Sequence, residues 1–168
     1  PAHLAVANGT LYWLAENGAN KEIHACALSG CASPTVLYSG TAWSYSSGLA
    51  AGPTDLYVSS FTGGVFHVPL TSALVADTAN IAQLSGSAYG TGGLLLDGST
   101  LKWAEANDNL VRSCTLPACG DVTTVLSGLS TPSGLDADAT YLYGADRGTP
   151  NGSGGYVAGT ARLWRAGK

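Results

Sequence analysis

The sequence of 168 residues predicts an all-β fold made of about four copies of one small antiparallel sheet. Three observations lead to this prediction. Short sequence markers recur every 41 to 46 residues along the chain. Segments rich in aromatic and β-branched residues, which favour strands, alternate with Gly, Asn and Asp turn signals. No stretch of ten residues shows the apolar period of an amphipathic helix.

Three independent markers keep the same interval, which is the signature of a repeat architecture. A Gly-Leu pair begins at residues 48, 93 and 134, and a Leu-led segment with an aromatic residue begins at 11, 56, 101 and 142. A Ser-Gly pair lies at residues 39, 85 and 127. We therefore predict one domain over residues 1–168 with four repeats, at approximately 1–46, 47–91, 92–132 and 133–168.

Each repeat contains the pattern of up to four short strands. The first strand is "HLAVA" or "GLLLD", and it leads into turns such as Asn8-Gly9 and Asp97-Gly98, which tolerate the positive φ of a tight hairpin. The second strand is "TLYWLA" or "TLKWAE". After a variable loop, the third strand is "EIHACAL" or "LVRSCTL", and the fourth is "PTVLYS" or "TTVLS". Four strands in a unit of 41–45 residues indicate the blade of a β-propeller.

The second-strand segments "LYWLAEN", "LKWAEAN" and "LYGAD" resemble the repeat of YWTD- and NHL-type propellers, and the resemblance covers essentially the whole chain. That family usually has an aromatic residue where this chain has Lys102, and a tryptophan where it has Gly144. The fourth repeat ends at "RLWRAGK", before any fourth strand. Such propellers commonly close with more blades, and an open array would expose blade faces and an edge strand. We therefore expect a portion of a larger propeller or closure with other chains; a self-contained four-bladed ring is the alternative.

Two cysteine pairs, "CALSGC" and "CTLPAC", lie two repeats apart, each at the end of a third strand. A redox pair would have two intervening residues rather than four, and a zinc site needs four converging ligands. His24 could give the first pair a third ligand, but the matching residue in the third repeat is Arg112. We therefore predict two local disulfides without a metal, and hence a secreted protein in an extracellular or periplasmic location. The predicted pairs are Cys26–Cys31 and Cys114–Cys119.

The composition limits the partners. Charged residues make up 11 % of the chain, and the formal net charge of -4 gives no basic surface for nucleic acid. No apolar run approaches the ~20 residues that cross a bilayer. We therefore expect neither a nucleic-acid partner nor membrane insertion.

Positions that break the repeat pattern are candidates for ligand contacts. In the first-strand column, Asp136 is a carboxylate where the other repeats have Ala5, Ala50 and Leu95. An acid on the innermost strand could bind calcium or a substrate near the axis, as the inner-strand acids of propeller lactonases do. The alternative is a solvated acid that lines the channel.

Aromatic and polar columns give the remaining candidates. The third-strand column contains His24, Phe66, Arg112 and Arg165, which could form one functional patch or an exposed sheet face. We expect Trp13 and Trp103 to pack between blades. Trp43 and Tyr45 belong to the inter-blade connection "TAWSYSS". Because loops carry binding residues, we predict this connection as the main ligand contact.

The sequence favours a binding module over an enzyme. It contains no nucleophile elbow, phosphate-binding loop or metalloprotease motif. We expect an extracellular module whose inter-blade loops contact a protein or a carbohydrate, with no cofactor. Two alternatives stay open at this point: part of a propeller lyase or lactonase with an axial metal such as calcium, and a structural repeat of a surface assembly.

Overall fold

The chain forms four antiparallel sheets that follow one another along the sequence. The structure is a computed structural model that describes residues 2–71, 75–85 and 91–168. Sheet 1 contains β1 (Ala2–Ala7), β2 (Thr10–Asn17), β3 (Asn20–Ala27) and β4 (Thr35–Gly40). Sheet 2 contains β5 (Ser46–Ala51), β6 (Asp55–Ser60), β7 (Gly64–Pro69) and β8 (Ala82–Ser85). Sheet 3 contains β9 (Thr91–Asp97), β10 (Thr100–Glu105), β11 (Leu110–Thr115) and β12 (Thr123–Leu126). Sheet 4 contains β13 (Pro132–Ala137), β14 (Tyr141–Asp146) and β15 (Arg162–Gly167).

The predicted fold class is confirmed. Strands pair in sequence order within every sheet, and the last sheet has three strands. The described residues contain one short 3₁₀ helix, Thr78–Asn80, and no α-helix. The first hairpin turns where the sequence predicts it, because Asn8 and Gly9 both adopt positive φ (47° and 71°).

The sheets pack face to face, with their first strands closest to one another. β1 packs against β5, β5 against β9, and β9 against β13. Glycine permits this approach: a Cβ on Gly93 would lie 2.6 Å from the carbonyl oxygen of Ser133 and 2.8 Å from the backbone nitrogen of Leu135. A β-bulge near the start of each first strand bends it at the same end of the array. The first strands therefore surround a common axis.

Two apolar cores hold the array together. The core between sheets 1 and 2 contains Tyr12, Leu14 and Val58, and the core between sheets 2 and 3 contains Tyr57 and Trp103. Alternating residues of one strand, such as Tyr57 and Val58, thus enter opposite cores, as the period of a strand requires. Burial of such side chains stabilises each sheet-to-sheet contact by about 2 kcal/mol per large side chain.

The array is open between sheets 4 and 1, since the described residues contain no contact there comparable to those between consecutive sheets. Both terminal faces consequently expose apolar side chains. Leu4 on sheet 1 is 67 % exposed and Leu163 on sheet 4 is 86 % exposed. Trp103 is fully buried as expected between sheets, whereas Trp13 lies on the open face of sheet 1, where it stacks on His24 at 5.4 Å.

Both predicted disulfides are present. The Cα atoms are 5.3 Å apart in Cys26–Cys31 and 4.9 Å apart in Cys114–Cys119, within the usual range for a disulfide. Each bridge closes the turn after a third strand. Among the described residues no group of three or more metal-ligating side chains comes together.

Candidate functional site

A pocket of about 510 Å³ opens where the first strands of all four sheets begin. We call this end of the array the pocket end. The connections from sheet 1 to sheet 2 and from sheet 3 to sheet 4, and the turns between second and third strands, also lie there. Among the described residues, the lining combines hydroxyl, aromatic and cationic groups without an acid: His3, Tyr45, Ser46, Ser47, Phe61, Thr91, Gly92, Ala106, Pro132, Ser133 and Arg147.

Hydrogen bonds between sheets 2 and 3 fix one wall of the pocket. The hydroxyl of Ser47 donates to the carbonyl oxygen of Thr91. The hydroxyl of Ser59 donates to the carbonyl oxygen of Gly92 over 2.8 Å. These bonds tie β9 to β5 and β6, and they hold this wall of the pocket to sheet 2.

His3 lies at the bulge of β1 with a positive φ of 51°. Burial lowers the pKa of its imidazole, and a hydrogen bond to the Ser46 backbone opposes this shift only in part. A histidine pKa below its ordinary value leaves the ring neutral near pH 7. His3 therefore adds a polar, uncharged group to the pocket.

Arg147 brings the positive charge. Of the seven basic residues of the chain, five form salt bridges and Arg165 lies over the ring of Tyr141 at 4.7 Å. The guanidinium of Arg147 has no hydrogen bond, ion pair or ring contact with any described residue. Its backbone is held in place, because its N–H donates to the carbonyl oxygen of Thr131 over 3.1 Å.

The structure separates the two predicted aromatic contacts of the first inter-sheet connection. Tyr45 lines the pocket and is 65 % exposed. Trp43 is only 4 % exposed, stacks on Tyr38 at 4.6 Å, and donates its indole N–H to Ser46 over 3.0 Å. Trp43 thus belongs to the core and supports the backbone that presents Tyr45.

The third-strand column differs from the predicted one in its last member. Trp13 pairs with His24, Trp103 with Arg112, and Gly144 with Trp164 rather than with Arg165. Arg165 pairs with Tyr143 and therefore points to the opposite face of sheet 4. The predicted column took Arg165 instead of the adjacent Trp164, because the fourth repeat has no cysteine that fixes the alignment. A shift of one residue places a side chain on the opposite face of its strand.

The two polar members of this column that remain, Arg112 and His24, have partners within the chain. The Nε of Arg112 donates to Glu105 over 2.7 Å. His24 forms a 2.8 Å hydrogen bond with Glu22. The column does not gather around the pocket, and the structure places it on the sheet faces instead.

Sequence reasoning missed two buried carboxylates with equivalent roles. Glu105 accepts from the indole N–H of Trp103 at 2.9 Å and from Arg112. Asp146, the matching residue of sheet 4, accepts from Trp164 at 3.1 Å and from Arg162 at 2.9 Å. The signal available in the sequence was the acid two residues after the tryptophan column in "WAE" and "GAD".

Asp136 lies on the open face of sheet 4, paired across the strands with Tyr143, and its carboxylate accepts from the N–H of Ala137 at 2.8 Å. It does not line the pocket. The described part of the pocket lining therefore contains no carboxylate that could hold an axial calcium, which the sequence raised as an alternative.

No helix in the described part of the chain has the length and apolar character of a membrane span. No protein-family model matches the sequence, and the search of curated proteins gives no match.

Solved structures do match, and they agree on the fold. The computationally designed Ika4 protein aligns with a TM-score of 0.64 and 14 % identity, over 96 % of this chain and 88 % of that one. A chain of the nidogen/laminin complex aligns with a TM-score of 0.68 and 18 % identity, over 96 % of this chain and 65 % of that one. The designed Ika8 protein aligns with a TM-score of 0.61 and 13 % identity, over 98 % of this chain and 45 % of that one. This chain thus spans less than two thirds of the second and third matches, and at these identities the likeness establishes a propeller-like all-β fold.

Proposed function

We propose that this chain is a secreted, non-catalytic interaction module of the YWTD/NHL propeller type, and that it binds a protein partner through its pocket end. The observation that carries the proposal is the pocket itself. It is shared by all four sheets, it lies beside the inter-sheet connections, and its open rim presents Tyr45, Phe61 and Arg147.

The chemistry of the rim supports a protein partner. Tyrosine, phenylalanine and arginine are enriched in protein interfaces, and tyrosine and arginine often carry most of the binding energy. Tyr45 and Phe61 are both exposed large side chains. The nidogen/laminin match supports the same class of function, although only by analogy at the level of the fold.

Secretion has separate support. Two disulfides close short loops in a chain that has no free cysteine among its described residues. Such bonds persist in oxidising compartments and are rare in the cytosol.

We propose further that additional sheets cover the open faces of sheets 1 and 4, from the same parent protein or from another chain. The exposed Leu4 and Leu163 support this, because large apolar side chains left open on a sheet face favour a covering partner.

The test is capture of partners from the secreted proteins of the source organism on the immobilised chain, with variants at opposite ends. Tyr45→Glu and Phe61→Glu change the pocket end. Leu28→Glu changes an exposed leucine after β3, at the other end, and serves as the matched control. We expect the two pocket-end variants to lose the captured protein and the control to retain it. Loss only in the control, or equal capture by all variants, would refute binding through the pocket end.

A further inference from the structure

Arg147 stands apart in the charge arrangement of this protein. The other six basic residues are neutralised or stacked within the chain, at distances of 2.7 to 2.9 Å for the salt bridges. A guanidinium that lines a pocket without any internal partner is available for an anion from outside.

The pocket around Arg147 is built for negative charge. None of the described lining residues is acidic, and His3 is among them. Asp55, Asp97 and Asp138 lie in the hairpin turns at the opposite end of the array. At the pocket end, Glu105 and Asp146 are buried and form ion pairs with arginines of their own sheets. Asp108, in the turn after β10, is not among the described lining residues. An anion in the pocket therefore meets the charge of Arg147 and no like charge from the described lining.

Tyr45 adds a second open group. The hydroxyls of Ser46, Ser47 and Ser133 are engaged in hydrogen bonds within the chain. The Tyr45 hydroxyl has no hydrogen-bond partner among the described residues. A guanidinium fork and a phenol donor are suited to the two oxygens of a carboxylate.

Rigid support reduces the cost of binding. Arg147 and Gly148 donate their backbone N–H groups to the carbonyl oxygens of Thr131 and Ser130, and Asp146 beside them accepts from the N–H of Ser130 at 3.0 Å. The strand end that carries Arg147 is thus fixed to the connection between sheets 3 and 4, so little backbone freedom is lost on binding.

We propose that Arg147 and Tyr45 bind the carboxylate of an aspartate or glutamate side chain on an acidic loop of a protein partner. The proposal rests on the proposed function and deepens it. An open pocket of about 510 Å³ accommodates one or two side chains, and its aromatic rim fits a polypeptide. A bidentate arginine–carboxylate contact also supplies geometric specificity that a lysine would lack.

The experiment is a ¹⁵N-HSQC titration of the whole chain with N-acetyl-glutamate N-methylamide, and with the glutamine analogue as the uncharged match. We expect the glutamate probe to shift the amides of Ser46, Thr91, Ser133 and Arg147, and the glutamine probe to bind at least about tenfold more weakly. Arg147→Gln should weaken the glutamate probe by about tenfold or more, and Arg147→Lys by less. Arg165→Gln, which changes an arginine outside the pocket, should bind like the parent.

Three outcomes would overturn the proposal. Equal binding of the two probes would remove the role of charge, and unchanged binding by Arg147→Gln would remove the role of Arg147. If glucuronate binds this site and the glutamate probe does not, the site would be assigned to an acidic glycan. The proposed function fails on a different result, loss of the captured protein only in the Leu28→Glu control or equal capture by every variant, so the two failures can be told apart.

Discussion

The second strands of sheets 1 and 3 carry a tryptophan at the position that Gly144 takes in sheet 4. In sheet 4 the tryptophan, Trp164, lies instead on the neighbouring third strand, opposite Gly144. This exchange of positions can be tested by substitution. A Cβ on Gly144 would lie 2.0 Å from Cζ2 and 2.5 Å from Cε2 of Trp164. Ordinary contacts begin near ~3.5 Å, so the indole would have to move by about 1.5 Å. That movement would break its 3.1 Å hydrogen bond to Asp146.

The expected cost of Gly144→Ala follows from these two effects. Overpacking costs about 1–3 kcal/mol, and a lost hydrogen bond to a charged acceptor costs about 1.5–3 kcal/mol. The lower entropy of the unfolded alanine chain returns about 0.4–1 kcal/mol. We expect a net loss of about 1.5–5.5 kcal/mol in the free energy of unfolding.

Urea unfolding followed by far-UV circular dichroism measures this loss, with two controls. Gly134→Ala places a methyl group in open space on the same sheet and should stay within about 0.5 kcal/mol of the parent. In a Trp164→Ala background, Gly144→Ala should cost nothing, because its obstacle is gone. An equal cost in both backgrounds, or a cost below about 0.5 kcal/mol in the parent, would refute the exchange of positions.

Three further predictions concern other parts of the chain. Burial, with a contribution from the charge of Asp55, raises the pKa of Tyr57 to about 12, above the ~10 of an unfolded tyrosine. The free energy of unfolding should therefore fall as pH rises from about 10 to about 12, and Tyr57→Phe should reduce this fall in urea titrations; an identical fall in the variant would contradict it. Dithiothreitol should reduce the Cys26–Cys31 bridge, whose Cys31 is exposed, before it reduces the buried Cys114–Cys119 bridge. Mass mapping of alkylated peptides measures the order, and reduction of both bridges together would contradict the prediction. Leu163→Lys should change the thermal midpoint little, because Leu163 is exposed; a large decrease would mean that the face of sheet 4 is covered.

The sequence predicts the fold well because repetition supplies many aligned observations of one small unit. The Asn8-Gly9 turn and both cysteine pairs depend on local spacing, which a sequence states directly. The strand faces of the first three sheets follow from the same alternation of residues.

The site is less accessible to sequence reasoning, because it arises where four distant strand ends meet. Tyr45 was predicted from its place in a connection, but His3 and Arg147 belong to no motif and come together only through the packing of sheets. Trp43 shows the opposite error, since an aromatic residue in a loop turned inward to fill the core. Arg165 was misplaced because the fourth repeat lacks the cysteine that fixes the register in the first and third.

The radial packing of the first strands creates the pocket, and a NOESY spectrum of the isotope-labelled chain tests it most directly. The close approach of β9 to β13 predicts a strong cross-peak between the Hα protons of Gly93 and the amide proton of Leu135. The approach of β5 to β9 predicts a cross-peak between Gly48 Hα and Leu94 Hβ. Absence of both, with all hairpin cross-peaks within each sheet present, would show that the sheets form but do not surround one axis.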